Sequence, residues 1–149
     1  MLCKTLFINM TVKKMFKREV STLIPYKKSN AEISFYLQRR DKNAKQLPDY
    51  FGFFGGGVES GEIPENALLR EIKEELDYEP YQYKFFDRFE FLESINNVFI
   101  VQVDSLFEDG IKVREGQYGR FMSTEEIDKE KKISSSDRYV LGQIFQSLN

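Results

Sequence analysis

Apolar and polar positions divide the chain into a regular series of short elements. Glu19 to Tyr26 reads as a strand, closed by Pro25 and the polar turn Lys27-Lys28-Ser29-Asn30. Glu32 to Arg39 alternates, with Ile33, Phe35 and Leu37 on one face, and predicts a second strand. A polar loop from Asp41 to Tyr50, containing Pro48, leads into the glycine-rich run Phe51-Gly52-Phe53-Phe54-Gly55-Gly56-Gly57. The period then changes. Leu68, Ile72 and Leu76 recur every fourth residue, which predicts a helix over Pro64 to Leu76 with Pro64 at its first position and a poor cap, prone to fraying, at Ile63.

Tyr81 to Leu92 and Ile95 to Val103 read as two further strands, with their reversal in Glu93 to Asn97. Asp109-Gly110 marks a turn, and Gln117 to Met122 reads as a short strand. Ser123 with Glu126 three residues on is a capping box that opens a short helix. A last helix is expected over Ser136 to Leu148, with Leu141, Ile144, Phe145 and Leu148 facing inward. Strands and helices mix without strict alternation. This pattern predicts an α+β fold, a mixed sheet packed between helices as an α/β/α sandwich, rather than a doubly wound parallel sheet.

Composition narrows the class. At 149 residues the chain suits one domain with a real core. We read residues 16–149 as that domain and residues 1–15 as an extension outside the core, with Met10 and Met15 as alternative starts. The apolar stretch from Thr5 to Val12 is too short to span a membrane and lacks a signal-peptide cleavage pattern. A net charge of −2 argues against a broad grip on nucleic acid. One cysteine, Cys3, allows no internal disulfide and fits a reducing, cytoplasmic setting. The absence of histidine removes His-based catalysis and His–zinc sites together. Any chemistry must rest on carboxylates, hydroxyls, Lys, Arg or a bound metal.

The informative segment is Gly56 to Tyr78. Glu71, Glu74 and Glu75 lie three and four residues apart, which on a helix brings three carboxylates to one side, away from the apolar stripe. Acidic helix faces are common, and Glu-x-x-Glu-Glu alone reads as a solvated surface. The whole spacing says more: Gly56, five residues, Glu62, seven residues, then Arg70-Glu71-Ile72-Lys73-Glu74-Glu75. This resembles the box of the Nudix hydrolase superfamily and is far more specific than an ordinary short motif. Asp77 stands where that box has its final Gly; Asp tolerates the left-handed conformation expected there, at a small cost in stability. Weaker resemblance extends upstream through Leu37 to Arg40 and downstream from Glu115-Gly116 through Arg120 to Ile127.

The resemblance implies hydrolysis of a phosphoanhydride bond in a nucleoside diphosphate linked to another group, such as a nucleoside triphosphate or a nucleotide sugar. It implies Mg²⁺, or alternatively Mn²⁺, held by Glu74, Glu75 and the backbone carbonyl of Gly55. Glu71 either ligates metal or serves as general base. Arg70 orients a neighbouring glutamate, and Glu62 ties the loop to the helix or reaches the metal through water. Gly56 and Gly57 let the backbone turn and approach the ion. Glu115 is the candidate for a further ligand or the general base, with Glu108 as its competitor. Arg40 is the candidate for a substrate phosphate, and Phe121 or Phe51 for stacking on a base. The expected partner is a small nucleotide-type molecule, not a nucleic-acid polymer or a membrane, and a homodimer is in keeping with the resemblance. A nucleotide-binding module without catalysis is the alternative; isoprenoid diphosphate isomerases, related but dependent on His and Cys, fit poorly.

Overall fold

The computed structural model describes residues 17–30 and 32–149, so the expected extension lies outside it. Among the described residues, seven strands and three α-helices follow in chain order: β1 (Arg18–Ser29), β2 (Glu32–Arg39), β3 (Phe51–Gly52), β4 (Phe54–Gly57), α1 (Pro64–Leu76), β5 (Lys84–Glu90), β6 (Ser94–Gln102), β7 (Tyr118–Ser123), α2 (Thr124–Lys129) and α3 (Ser135–Leu148). The strands form one mixed sheet in the order β3-β2-β1-β6-β5, with β4 added to β1 and β7 to β2. The β1–β6 ladder is parallel; the other ladders among the described residues run antiparallel.

Period-2 alternation feeds two cores, one on each face of the sheet. On one face Leu23, Tyr36, Phe54, Phe99 and Val101 pack against Leu68, Ile72 and Leu76 of α1. On the other, Ile24, Phe35, Leu37, Val98 and Ile100 pack against Ile127 of α2 and Val140, Leu141 and Ile144 of α3. This is the α/β/α sandwich expected of the sequence. No described helix is long and apolar enough to cross a membrane.

The position of Pro25 departs from expectation. It does not end its strand but lies inside β1, paired with Val101 in the parallel ladder. The reason is a change of partner on the other edge of β1. Thr22 and Leu23 face Gly55 and Phe54 of β4, whereas Tyr26 onward faces Phe35 onward of β2. The Tyr26 carbonyl accepts from the Val103 N–H on the β6 side, 2.9 Å away. The ring nitrogen of Pro25 therefore faces the opposite edge, in the gap between the two registers, where a missing donor costs no ladder bond.

Smaller shifts have local causes. The reversal between β5 and β6 comes earlier than expected, closed by Phe91 N–H donating to the Ser94 carbonyl at 2.8 Å. Asp109-Gly110 belongs to a single 3₁₀ turn, Glu108–Gly110. Helix α1 lacks a side-chain cap at Ile63, but the buried Ser21 hydroxyl donates to the Pro64 carbonyl at 2.8 Å and ties its first turn to β1. Asp77 closes α1 in the left-handed region (φ 48°, ψ 42°), its N–H returning to the Lys73 carbonyl. The capping box at Ser123 and Glu126 forms with both of its bonds.

In α3 the inward stripe is Val140, Leu141 and Ile144, while Phe145, expected inside, is exposed. Truncating the two should therefore differ. Leu141→Ala is expected to cost about 2–5 kcal/mol and Phe145→Ala less than half of that, read from urea unfolding of the two variants. Equal losses would place Phe145 back in the core.

Candidate active site

Helix α1 and strand β4 approach so closely that a side chain between them would not fit. A Cβ on Gly56 would meet the Glu71 carboxyl carbon at 2.4 Å. A Cβ on Gly55 would stand 2.0 Å from the Ser21 carbonyl oxygen, and Gly55 holds φ at +140°. The bare backbone lets the glutamates of α1 reach β4, and the Gly55 N–H donates to a Glu75 carboxylate oxygen at 2.9 Å.

The three box glutamates occupy three different environments, not the single cluster expected. Glu75 is only 6% exposed, Glu71 is partly buried against Gly56, and Glu74 is exposed. Helix geometry explains the division. Residues four apart share a side, whereas Glu74 is turned about 100° from Glu75. The expectation that all these carboxylates stay clear of the core fails at Glu75, which is drawn inward by β4. Among the described residues, no three acidic or thiol side chains form a ready-made metal cage.

Arg70 organises the outer half of this region. Its guanidinium donates twice to Glu62, at 2.9 and 3.0 Å, once to Glu71 at 2.7 Å, and once to the Gly57 carbonyl at 3.0 Å. Such forked, charge-assisted bonds fix planar groups in direction as well as distance. The Arg70 fork, followed by the Glu59 backbone N–H, holds the Glu62 carboxyl below its usual range. Glu62 thus ties the β4–α1 loop to the helix.

Glu115 stands beside Glu75. Arg114 N–H donates to the Glu75 carbonyl at 2.8 Å, and Gln38 Nε2 donates to the Glu115 carbonyl at 3.0 Å, so the segment is held from both sides. Burial, then the neighbouring Glu115, pushes the Glu75 carboxyl well above the ordinary carboxylate range, while the Gly55 N–H opposes the shift. Glu108 lies elsewhere, next to Lys27 at 3.9 Å.

A cavity of about 270 Å³ opens where β2 parts from β1. Gly55, Gly56, Glu75 and Glu115 line one end. Thr22 and Asn96 form part of its floor, linked by a 2.9 Å bond from Thr22 Oγ1 to Asn96 Oδ1. Arg40 and the first turn of α3, with Ser134, Ser136 and Asp137, line the far wall. Arg40 Nε is buried with no hydrogen-bond partner. Phe121 is not here. It packs with Tyr36 and Phe107 on the α1 face, under the Lys27 ammonium at 3.9 Å. Phe51 is core, covered by Arg39. Phe91, Phe53 and Leu47 supply the apolar surface of the cavity instead.

The family model for the NUDIX domain matches residues 15–143. The chain belongs to the NUDIX family. Similar characterised proteins include an RNA pyrophosphohydrolase of a Nitratiruptor species, 33% identical over 64 residues, and an 8-oxo-dGTP diphosphatase of Escherichia coli (strain K12), 34% identical over 62 residues. A dihydroneopterin triphosphate diphosphatase of the same E. coli strain is 38% identical over 63 residues. These matches cover 42–43% of this chain and less than half of each relative, 39%, 47% and 39% respectively. Among solved structures, the NUDIX domain of Shewanella oneidensis NrtR in complex with ADP ribose superposes with a TM-score of 0.72 at 11% identity, covering 91% of this chain and 92% of that one. A structure from a study of MutT from Aliivibrio salmonicida and Vibrio cholerae gives 0.69 at 21% identity, covering 89% and 99%. At such identities the likeness is one of fold.

Sequence reasoning missed Thr22, Asn96 and Asp137. Each comes from a different element, and no local spacing joins them. Asp137 reads in sequence as an ordinary first-turn residue. In the structure, burial pushes its carboxyl up to about 6, against the pull of the Arg40 charge and a bond with Ser134.

Two outcomes are expected in this NUDIX domain. Gly55→Ala should lose more than about 2 kcal/mol in chemical unfolding, because strained φ and a clash with the β1 backbone coincide, whereas Gly56→Ala, at an ordinary φ, meets only the Glu71 side chain, which can swing away at the expense of its bond to Arg70, and should lose about half as much. Equal losses would contradict the two different contacts. Asp137 takes up its proton more readily folded than unfolded, so its charge costs stability as pH rises from about 4 to 6. The stability of Asp137→Asn relative to wild type should therefore be about 1–3 kcal/mol more favourable at pH 8 than at pH 4, measured by urea unfolding. A difference independent of pH would show that the carboxyl is not held high.

Proposed function

We propose that this NUDIX domain is a pyrophosphohydrolase that cuts a phosphoanhydride bond in a nucleoside diphosphate linked to a second group, with Mg²⁺ or Mn²⁺ as cofactor. The observation that carries the reading is the pairing of Glu75 with Glu115 at one end of the cavity. Glu75 is buried and Glu115 beside it is exposed; among the described residues neither makes a salt bridge, and a buried carboxylate held next to a second one without a cation is costly. An all-oxygen donor set of this kind suits a hard divalent ion. Glu71, Glu75 and the Gly55 carbonyl would hold it, with Glu74 reaching in from the outer side of α1.

When bound, such an ion neutralises phosphate oxygens and makes a water more acidic. The chain's own groups do the rest. Arg70 holds Glu71 and Glu62 in place. Glu115 takes the proton of the attacking water, a role for which it is better placed than Glu71, whose carboxylate already accepts from Arg70 at 2.7 Å. Arg40 offers its unpartnered Nε–H to an acceptor on the substrate. Asp137, Asn96 and Thr22 give the far end a mixed set of donors and acceptors, which suits the polar edge of a nucleobase more than a bare sugar. The similar proteins named above are, by their names, a pyrophosphohydrolase and two diphosphatases, which agrees with this reaction class.

The test is a panel of nucleoside triphosphates, nucleotide sugars and dinucleotides with Mg²⁺, scored for both products. Turnover is expected on at least one, and Glu75→Gln should lower it by about 100-fold or more with the fold intact. Full activity in Glu75→Gln would remove the metal assignment. Tight nucleotide binding with no products from the wild-type protein would make the domain a binding module.

A further inference from the structure

One acidic residue outside the box ties together segments that are distant in sequence. Asp49 ends the loop between β2 and β3. Its Oδ1 accepts from Arg39 Nε at 2.9 Å and from Gln117 Nε2 at 2.8 Å; its Oδ2 accepts from Lys132 Nζ at 2.6 Å. Its own N–H donates to the Asp41 carbonyl at 3.2 Å. Gln117 Nε2 donates to the Arg40 carbonyl as well, at 2.8 Å, and Gln117 N–H to the Arg39 carbonyl at 2.8 Å.

Each of these partners lies next to a wall of the cavity. Arg39 precedes Arg40. Gln117 lies two residues past Glu115. Lys132 lies two residues before Ser134, where the first turn of α3 begins and brings in Asp137. Asp49 itself follows Gln46 and Leu47. Arg40, Glu115, Ser134, Asp137, Gln46 and Leu47 all line the cavity. Backbone contacts join these segments too, through the pairing of β2 with β3 and β7, Arg40 N–H to the Tyr50 carbonyl and Phe51 N–H to the Lys132 carbonyl, and Gln38 reaches the Glu115 carbonyl; Asp49 is the side chain that touches Arg39, Gln117 and Lys132 at once.

We propose that Asp49 is a positioning residue, whose three-way bond holds the substrate-facing walls in register with the carboxylate end that carries Glu115. The loop it anchors is held in an unfavourable shape. Asp49 and Leu47 are non-glycine residues in the left-handed region, at φ 62° and 47°. Such backbone persists only where surrounding contacts over-determine it. Bonds from Arg39, Lys132 and Gln117 also keep the Asp49 carboxyl well below its usual range, so the clamp remains charged at neutral pH. Ordinary surface ion pairs contribute little, but one carboxylate shared among three segments constrains geometry that no single pair could.

The inference rests on the hydrolase reading for its kinetic consequence, and has a second readout that does not. In Asp49→Asn the charge goes while shape is kept. Turnover on the best nucleotide of the panel is expected to fall about 100-fold in kcat/KM, split between a higher KM and a lower kcat, at temperatures where the variant is fully folded. Asp49→Glu should recover part of the loss. A kcat/KM within threefold of wild type overturns the proposal, as does a lowered Tm with unchanged kinetics. Amide hydrogen exchange of the same variant should quicken together in residues 41–50, 115–118 and 132–137. Acceleration confined to 41–50, or none, also overturns it. If the wild-type chain turns over no nucleotide, that result bears on the hydrolase reading, and hydrogen exchange alone decides whether Asp49 couples the walls.

Discussion

The structure depends on a close approach between the glycine stretch of a strand and a helix that carries charges. Gly56 lets β4 lie against α1 within the space of a single methyl group, and Gly55 lets it lie as close to the β1 backbone at Ser21. That contact accomplishes two things. It lets the Gly55 N–H reach the Glu75 carboxylate, and it leaves Glu71 lying against the backbone of Gly56. Burial and the neighbouring Glu115 favour the protonated form of the Glu75 carboxyl, and the Gly55 N–H opposes them. The glycines therefore do more than turn the chain. They create the low-dielectric setting in which a few oxygens exert a strong field on whatever binds beside them.

A second constraint comes from β1. By giving up β4 and taking β2 partway along its length, this strand forces its two neighbours apart. The cavity is the space they leave. Pro25 sits at the point of exchange, and the parallel pairing with β6 runs through it without interruption. One edge of β1 is thus rigid and continuous while the other is split. The opening is a consequence of sheet topology, and loop flexibility is not needed to form it.

How far the sequence revealed this follows from the range of the interactions. Helix α1 was legible to the residue because its stripe of Leu68, Ile72 and Leu76, its Pro64 start and its Asp77 end are all local signals. The box carries its own spacing, so Gly56, Glu62, Arg70, Glu71, Glu74 and Glu75 could be named from it, and Gly55 from the resemblance that it carries. Glu115 was reached through its neighbours Gly116 and Arg120. Burial was harder. Helical periodicity assigns Glu75 to the polar side, and only the approach of β4 from elsewhere in the chain brings it inside. Phe121 and Phe145 failed for a related reason. An aromatic residue in an alternating strand or at the end of a helix has no mark that tells which face its neighbours will cover. Pro25 shows the limit most plainly, since a strand that changes partners can hide a missing donor that a strand with fixed partners could not.

The two ends of the cavity differ in how they are built, and this bears on what each can do. The carboxylate end comes largely from one contiguous segment, Gly55 to Glu75, braced internally by Arg70. Its geometry is set by helix pitch and strand contact, which tolerate little change. The far end is assembled from β1, β2, β6, the loop before β3 and the first turn of α3, held together by polar contacts such as those at Asp49. No core packing depends on whether position 137 is Asp or position 96 is Asn, since both face the cavity and not the cores. Substitutions there alter hydrogen-bonding pattern and shape while the sandwich stands. A fold divided in this way can keep its carboxylate end fixed while the opposite wall varies, so on the proposed reading the box bears on the reaction class and the far wall on the substrate.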